Sequence, residues 1–494
     1  MRKVTAIIAA VILAFVIALG DQIIKLSLAD NPLGINTVRT FFGFDDGSIT
    51  IPNKPKIPTI TEKKEEEVNL SYDERIEKGD YYHKSGFFIF AANEYVKAAN
   101  LEPERTEPYL KLIKTNLDLV DYGKARRNAE QVLILEPANY EAQYSLVLIS
   151  LKQNEFTEAL DRIDRLLVGG ITDHNLFYLK GLLKIAFNEH EEGKELLQQA
   201  KVKPSADYSL LEEDNELNEK IDKILAGYEE FEFAKAAEEL YLSELLARSF
   251  NQIGEYELAI YKLKEILKAR SDLRDSWIML GFAYLNLEKY LFAVTSFEHA
   301  YELDSEWPAT QYFLGVTYAE LSKYDDAIIY LNYALNNGFE PVIVVKQKLA
   351  DLYLEVGNYE ESVEAYREVI ETNKDVDSFV RPIWIYLDFL EQPEKALKLG
   401  EKAVITFPES PMAYNLLGWS QVGTKNYVEA EKNLKKSITM DPTFAAAHYN
   451  LAKLYEDMNE EEQALKNYQS AYELDANGSI GNLAAKRYNA MLLE

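Results

Sequence analysis

Six positions recur at a fixed interval along this chain. Leu280, Gly281, Tyr284, Tyr290, Ala293 and Phe297 are followed 34 residues later by Leu314, Gly315, Tyr318, Tyr324, Ala327 and Leu331. The stretch from Leu417 to Pro442 repeats the set, with Gly418, Tyr427, Ala430 and Leu434. Counting each unit from seven residues before the glycine position gives eleven units, which begin at Tyr72, Thr106, Tyr140, His174, Leu240, Arg274, Pro308, Ile343, Asp377, Pro411 and Ala445. Nine of the ten steps are 34 or 35 residues long. So strict a period restricts the chain to a stacked array, because one such unit cannot bury its apolar face alone and must cover it with its neighbours.

Within a unit the spacing predicts two short amphipathic helices. Small residues such as Gly281, Ala293 and Ala300 fall where the two backbones must approach closely. Trp277, Tyr284, Tyr290 and Phe297 supply the area that stacking buries. Pro103, Pro137, Pro408 and Pro442 have no N–H to donate and stop the second helix. The series Trp277-x2-Leu280-Gly281-x2-Tyr284, then Ala293-x3-Phe297, resembles the tetratricopeptide repeat family, and the resemblance covers about residues 72–476. It implies an all-α fold, a right-handed superhelical solenoid of about eleven helix-turn-helix repeats. In that family one face of the first helices lines a concave groove that grips peptides or helices. The resemblance maps the groove here onto Tyr144, Leu148, Leu151, Tyr178, Leu182 and Ile185 in the third and fourth units, and onto Ile278, Phe282, Leu285, Tyr312 and Val316 in the sixth and seventh. Such apolar stripes suit an amphipathic helix or an extended peptide. Gln347, Asp351, Lys453 and Glu456 occupy the same slots in later units and suggest a charged contact there. The alternative is that the superhelix, or an insert, covers the stripe itself.

One step breaks the period. Between His174 and Leu240 lie 66 residues, and the surplus, 208–239, is acidic and helix-favouring but fits no repeat slot. The unit before it carries Lys180, Lys184 and Gly193 where Leu, Tyr and Ala are expected. Those two lysines must snorkel or find carboxylates, because a buried unpaired ammonium is costly. The expected organisation is therefore 1–29 as signal-anchor or signal peptide, 30–70 as a Pro-rich and charged linker and 71–207 as four repeats. An acidic helical insert follows over 208–239, with Ala226-Gly227 as its weak point, then seven repeats over 240–476 and a capping helix over 477–494. Ser71 with Glu74 reads as a capping box at the first helix, while Leu483, Tyr488 and Leu492 are placed to cover the last apolar face.

The N-terminus has a different character. Arg2 and Lys3 precede an uncharged run from Val4 to Gly20 of 17 residues, between a signal-peptide core and an average membrane span in length. Apolar residues resume at Ile23 and Ile24. Ala6, Ala10, Ala14 and Ala18 form a small-residue stripe suited to helix packing in lipid, and hence to self-association. These features favour an uncleaved anchor with the repeats outside the cytoplasm, the alternative being cleavage and export. With 53 Lys plus Arg against 82 Asp plus Glu, the chain carries −29 and repels nucleic acid. It contains no cysteine, which excludes disulfides, thiol catalysis, Cys-based zinc sites and a lipoprotein anchor. His83, His174, His190, His299 and His448 are isolated from one another and read as surface or packing residues. No catalytic, cofactor or metal motif was found. The expected function is a non-catalytic protein–protein interaction scaffold of the cell envelope, with proteins and the membrane as its partners. The alternatives are a scaffold of polysaccharide-export or cell-wall machinery and, more remotely, an enzyme-associated subunit.

Overall fold

The repeat period of the sequence reappears as a period in the backbone. Eleven residues adopt a left-handed conformation at the turn inside each unit: Gly86, Val120, Asn154, Asn188, Gly254, Glu288, Ser322, Gly357, Glu391, Lys425 and Asn459. Each stands fourteen positions after the start of its unit. The geometry terminates the first helix, since the next N–H then reaches back to a carbonyl five residues earlier, as from Asp121 to Asn116 at 2.8 Å, Glu155 to Ser150 at 2.8 Å and Lys323 to Tyr318 at 2.9 Å.

The computed structural model describes residues 70–202, 212–234, 238–372, 375–476 and 478–492. Among these residues there are 24 α-helices, one 3-10 turn at Val376–Phe379 and no strand. Twenty-two of the helices form eleven hairpins, from Tyr72–Lys84 with Phe88–Leu101 to Ala445–Asp457 with Glu461–Leu474. Second helices end at Leu101, Leu135, Thr406 and Met440, each two residues before the proline that stops it. Ser71 and Glu74 close the expected capping box on the first helix. The run Val4–Gly20, its alanine stripe and nearly all of the linker lie outside the described residues. Among those described, no helix is long and apolar enough to cross a membrane.

Hairpins close by matching volumes across the two helices. A Cβ on Gly281 would stand 2.5 Å from the Phe297 ring, one on Gly315 2.6 Å from Leu331, and one on Gly418 2.6 Å from Leu434. In the second unit the sizes are exchanged, with Ile113 facing Ala129 in one buried cluster. The ninth unit departs from the pattern, because Trp384 fills its glycine slot. There the first helix shortens to Val380–Asp388, and the indole turns outward to donate to Asp388 at 2.8 Å and meet Phe389 edge-on.

The chain divides into two compact units, Lys64–Asp304 and Ser305–Glu494. Within the first lies the helix Glu212–Phe233, formed by the acidic surplus. It buries Ile221, Ile224, Gly227 and Tyr228. Asn218 bonds both the N–H and the carbonyl of Val202 at 3.1 and 2.9 Å, the Tyr228 hydroxyl meets His190 at 2.9 Å, and Glu230 pairs with Arg248. Ala226-Gly227 is therefore not the expected weak point: Gly227 is mid-helix, and a Cβ there would come 3.2 Å from the Ser249 hydroxyl. The two irregular lysines of the fourth unit find carboxylates, Lys180 with Asp164 at 2.7 Å and Lys184 with Glu189 and Glu192 at 2.7 and 3.0 Å. In the second compact unit the helix Ser479–Met491 caps the last hairpin. It does so through Ile480, Ala484, Tyr488 and Met491, while Leu492 remains 52% exposed.

Candidate functional site

The stripe on the third and fourth units is covered by the chain itself. Tyr178, Leu182 and Ile185 are 5%, 0% and 0% exposed, so they are core residues and not an open groove. Tyr144, Leu148 and Leu151 are half-buried. The helix Tyr256–Ala269 packs against the turns of these two units. Its Tyr261 ring meets Phe156 and Phe187 edge-on at 5.4 and 5.8 Å, its Lys262 ammonium donates to the Asn188 side chain, and Lys152 reaches Glu257 at 3.2 Å. Burial pushes the Tyr144 hydroxyl up to about 12, with Asp173 and Glu255 adding to the shift. Tyr178 is pushed up further, by burial first and then by Glu255 and Glu216. Burial also raises the Glu255 carboxyl, with Glu257 adding and Lys152 and Lys220 opposing. The mapping by slot placed these side chains on the first helices but could not foresee that Ile185 packs within its own hairpin against Gly193, or that a helix about eighty residues further on packs at the turns.

In the sixth unit, on the helix Arg274–Asn286, the expected face is partly covered: Ile278, Phe282 and Leu285 are half-buried, and the Phe282 ring meets Tyr256 edge-on at 6.3 Å, while Leu291 and Phe292 at the start of the partner helix are 71% and 61% exposed. The second compact unit holds the other two residues of that set. Tyr312 is 7% exposed, its ring stacked on Phe339 at 4.3 Å, and burial pushes its hydroxyl up to about 12. Phe339 folds back from the loop after the second helix of its own hairpin, so Tyr312 is a packing residue and not a groove residue. Val316 is half-buried.

Two of the later polar slots also have inward roles. Asp351 accepts from the Tyr366 hydroxyl and the Arg381 guanidinium, and Glu456 from the Tyr468 hydroxyl at 2.5 Å and from Arg487. The first unit shows the same device, Asp80 accepting from Tyr95 at 2.7 Å and from Lys111 at 2.7 and 2.9 Å. In each case a carboxylate ties the tyrosine of its own hairpin to a cation on the next helix, which joins neighbours polar end to polar end. The sequence signal was available, since each cation stands 30 or 31 residues after its acid. The slot rule assigned Asp351 and Glu456 to a ligand instead.

Models of the tetratricopeptide repeat match residues 110–173, 275–306, 345–376 and 421–486. The chain belongs to the tetratricopeptide repeat family. A TPR repeat-containing protein of Methanocaldococcus jannaschii is 21% identical over 384 residues, which cover 75% of this chain and 64% of that protein. An anaphase-promoting complex subunit of Saccharomyces cerevisiae is 30% identical over 131 residues, 26% of this chain and 15% of its own length. This chain thus spans less than two thirds of either relative. Among solved structures, the C-terminal part of a TPR repeat-containing protein from Cytophaga hutchinsonii matches 48% of this chain and 97% of its own, at 14% identity and a TM-score of 0.40.

The tetratricopeptide array also exposes a surface that slot counting missed. Around the first turn Tyr81, Phe87, Ile89 and Phe90 are 64%, 44%, 72% and 58% exposed. The run "GFFIF" at 86–90 carries its own signal, because consecutive large apolar residues cannot all face one side of a helix. The histidines take packing or capping contacts. His83 pairs with Asp118 at 2.9 Å, His174 meets the Ala200 carbonyl at 2.9 Å, His190 the Tyr228 hydroxyl, and the His299 ring lies on Trp277 at 4.4 Å.

Proposed function

We propose that this protein is a non-catalytic scaffold of the cell envelope, tethered by its N-terminal apolar run, that holds partner proteins on the open face of its sixth repeat. The observation that carries the reading is the contrast between the two halves of the expected groove. Tyr178, Leu182 and Ile185 are buried within the chain, whereas the sixth unit, with Ile278, Phe282 and Leu285 only partly buried, leaves Leu291 and Phe292 71% and 61% exposed. An apolar surface left uncovered on a soluble array is where an amphipathic helix or extended peptide gains most from burial. The yeast relative's place as a subunit of a complex is in keeping with such a part. The uncharged run Val4–Gly20 behind Arg2 and Lys3 supports an uncleaved anchor with the repeats outside the cytoplasm. Assembly of polysaccharide-export or cell-wall machinery is one setting that fits.

The test is crosslinking in native membranes from a photoreactive residue at Phe282, followed by mass spectrometry, with a Phe282→Glu/Leu291→Glu variant alongside. The expected result is a defined set of partners in carbonate-washed membranes, whose capture falls at least tenfold in the variant while its thermal transition stays within a few degrees. Undiminished capture by the variant would move the partner face elsewhere. Loss of the protein from the membrane pellet, with a mature N-terminus at Asp21 or Asp30, would remove the anchor.

A further inference from the structure

In a chain with 82 acidic and 53 basic side chains, one cavity reverses the sign. It lies in the second compact unit, between the second helices Tyr359–Thr372 and Pro393–Thr406, and encloses about 360 Å³. Arg367, Lys395, Lys398 and Lys402 stand on its walls against a single carboxylate, Glu371. Buried Ile370 and Tyr386, with half-buried Leu399, make an apolar floor.

The lysines occupy positions i, i+3 and i+7 of one helix, which brings like charges together on one face and destabilises the isolated helix. Internal partners compensate this only in part. Lys402 pairs with Glu371, Lys395 lies over the Tyr386 ring at 5.5 Å, and Lys398 has no acidic partner among the described residues. Arg367 holds Glu364 at 2.6 Å on an exposed turn, a pair of little net worth that a better acceptor can replace. The cavity opens beside the second helices. It is distinct from the Phe282 face, which belongs to the other compact unit.

We propose that this cavity binds an extended acidic segment of a partner protein, with carboxylates at alternate residues meeting the lysine row and the intervening apolar side chains turned to the opposite wall, toward Ile370. The dimensions favour a peptide over a single small anion. From Lys395 to Lys402 the helix rises about 10 Å, more than one phosphate spans, whereas alternate residues of an extended chain lie about 6.6 Å apart on one face. The surrounding field favours specificity. A net charge of −29 repels acidic peptides in general, so any that bind must be drawn by this local reversal.

The test uses the full chain and a fluorescein-labelled hexapeptide of alternating Glu and Val, read by anisotropy. The expected outcome is saturable binding that weakens with added salt, is at least tenfold weaker for the peptide with Gln in place of Glu, and falls at least tenfold in Lys395→Glu/Lys398→Glu. Both lysines are exposed, so melting should not move; Lys398→Gln provides a milder second variant with a smaller loss in the same direction. Equal binding of the Gln peptide, or undiminished binding by the double variant, would overturn the proposal. Complete displacement by inorganic phosphate at low millimolar concentration would also overturn it, by showing a small-anion site. None of these outcomes bears on the Phe282 face, so the two readings stand or fall separately.

Discussion

At the residue scale, the fold depends on one left-handed position per unit, and the sequence fills it unevenly. Glycine or asparagine takes it at Gly86, Asn154, Asn188, Gly254, Gly357 and Asn459, but a valine does so at Val120, with φ of 57°. A β-branched residue is strained there. Because Val120 is 65% exposed, little packing is lost on removing its side chain. Val120→Gly should therefore stabilise the protein by about 0.5–1 kcal/mol, the relief of left-handed strain less the chain entropy of an added glycine. Chemical denaturation should show a higher midpoint at unchanged slope; a lower midpoint would mean that the valine side chain contributes packing after all. The left-handed turn was implicit in the 34-residue period but not in residue type, since Val120, Glu288 and Lys425 do not announce it. Tyr312 shows the converse failure. Its slot on the helix was readable, whereas the Phe339 ring that covers it comes from a loop whose path the period does not specify.

At the scale of elements, a hairpin is a matched pair of volumes, and the match can be exchanged between units. Gly281 with Phe297 and Ile113 with Ala129 solve the same packing problem in opposite senses. Gly281→Ile alone should destabilise by about 1–3 kcal/mol through overpacking, and Phe297→Ala alone by about 3–5 kcal/mol through the cavity it leaves. The double variant recreates the arrangement of the second unit and should be less damaged than the sum of the two, by about 1 kcal/mol or more. Additive losses in thermal or denaturant unfolding would show that the two positions do not share one space. Hairpins, their boundaries, the proline stops and the capping box were all legible, because local pattern and local structure coincide in a repeat. The ninth unit was read as regular, and its departure was missed: Trp384 stands in the glycine slot, and its contacts with Asp388 and Phe389 depend on where the helix stops.

At the scale of the whole molecule, the eleven-unit array came from the period, and its interruption at 208–239 located the irregular helix. What the period could not convey was the consequence of that interruption. Glu212–Phe233 packs on both sides, against His190 and Val202 before it and Ser249 and Arg248 after it, and within this compact unit the helix Tyr256–Ala269 packs against Lys152, Phe156, Phe187 and Asn188 at the turns of the third and fourth units. We hold that this internal contact is permanent and that partners bind elsewhere. The chain has no native cysteine, so Lys152→Cys/Glu257→Cys, replacing a pair 3.2 Å apart across the contact, can be joined cleanly by a short bismaleimide. The measurement is partner capture in native membranes by the locked and unlocked forms of this variant. The account predicts near-complete intramolecular joining and equal capture by both forms; failure to join, or loss of capture on locking, would contradict it.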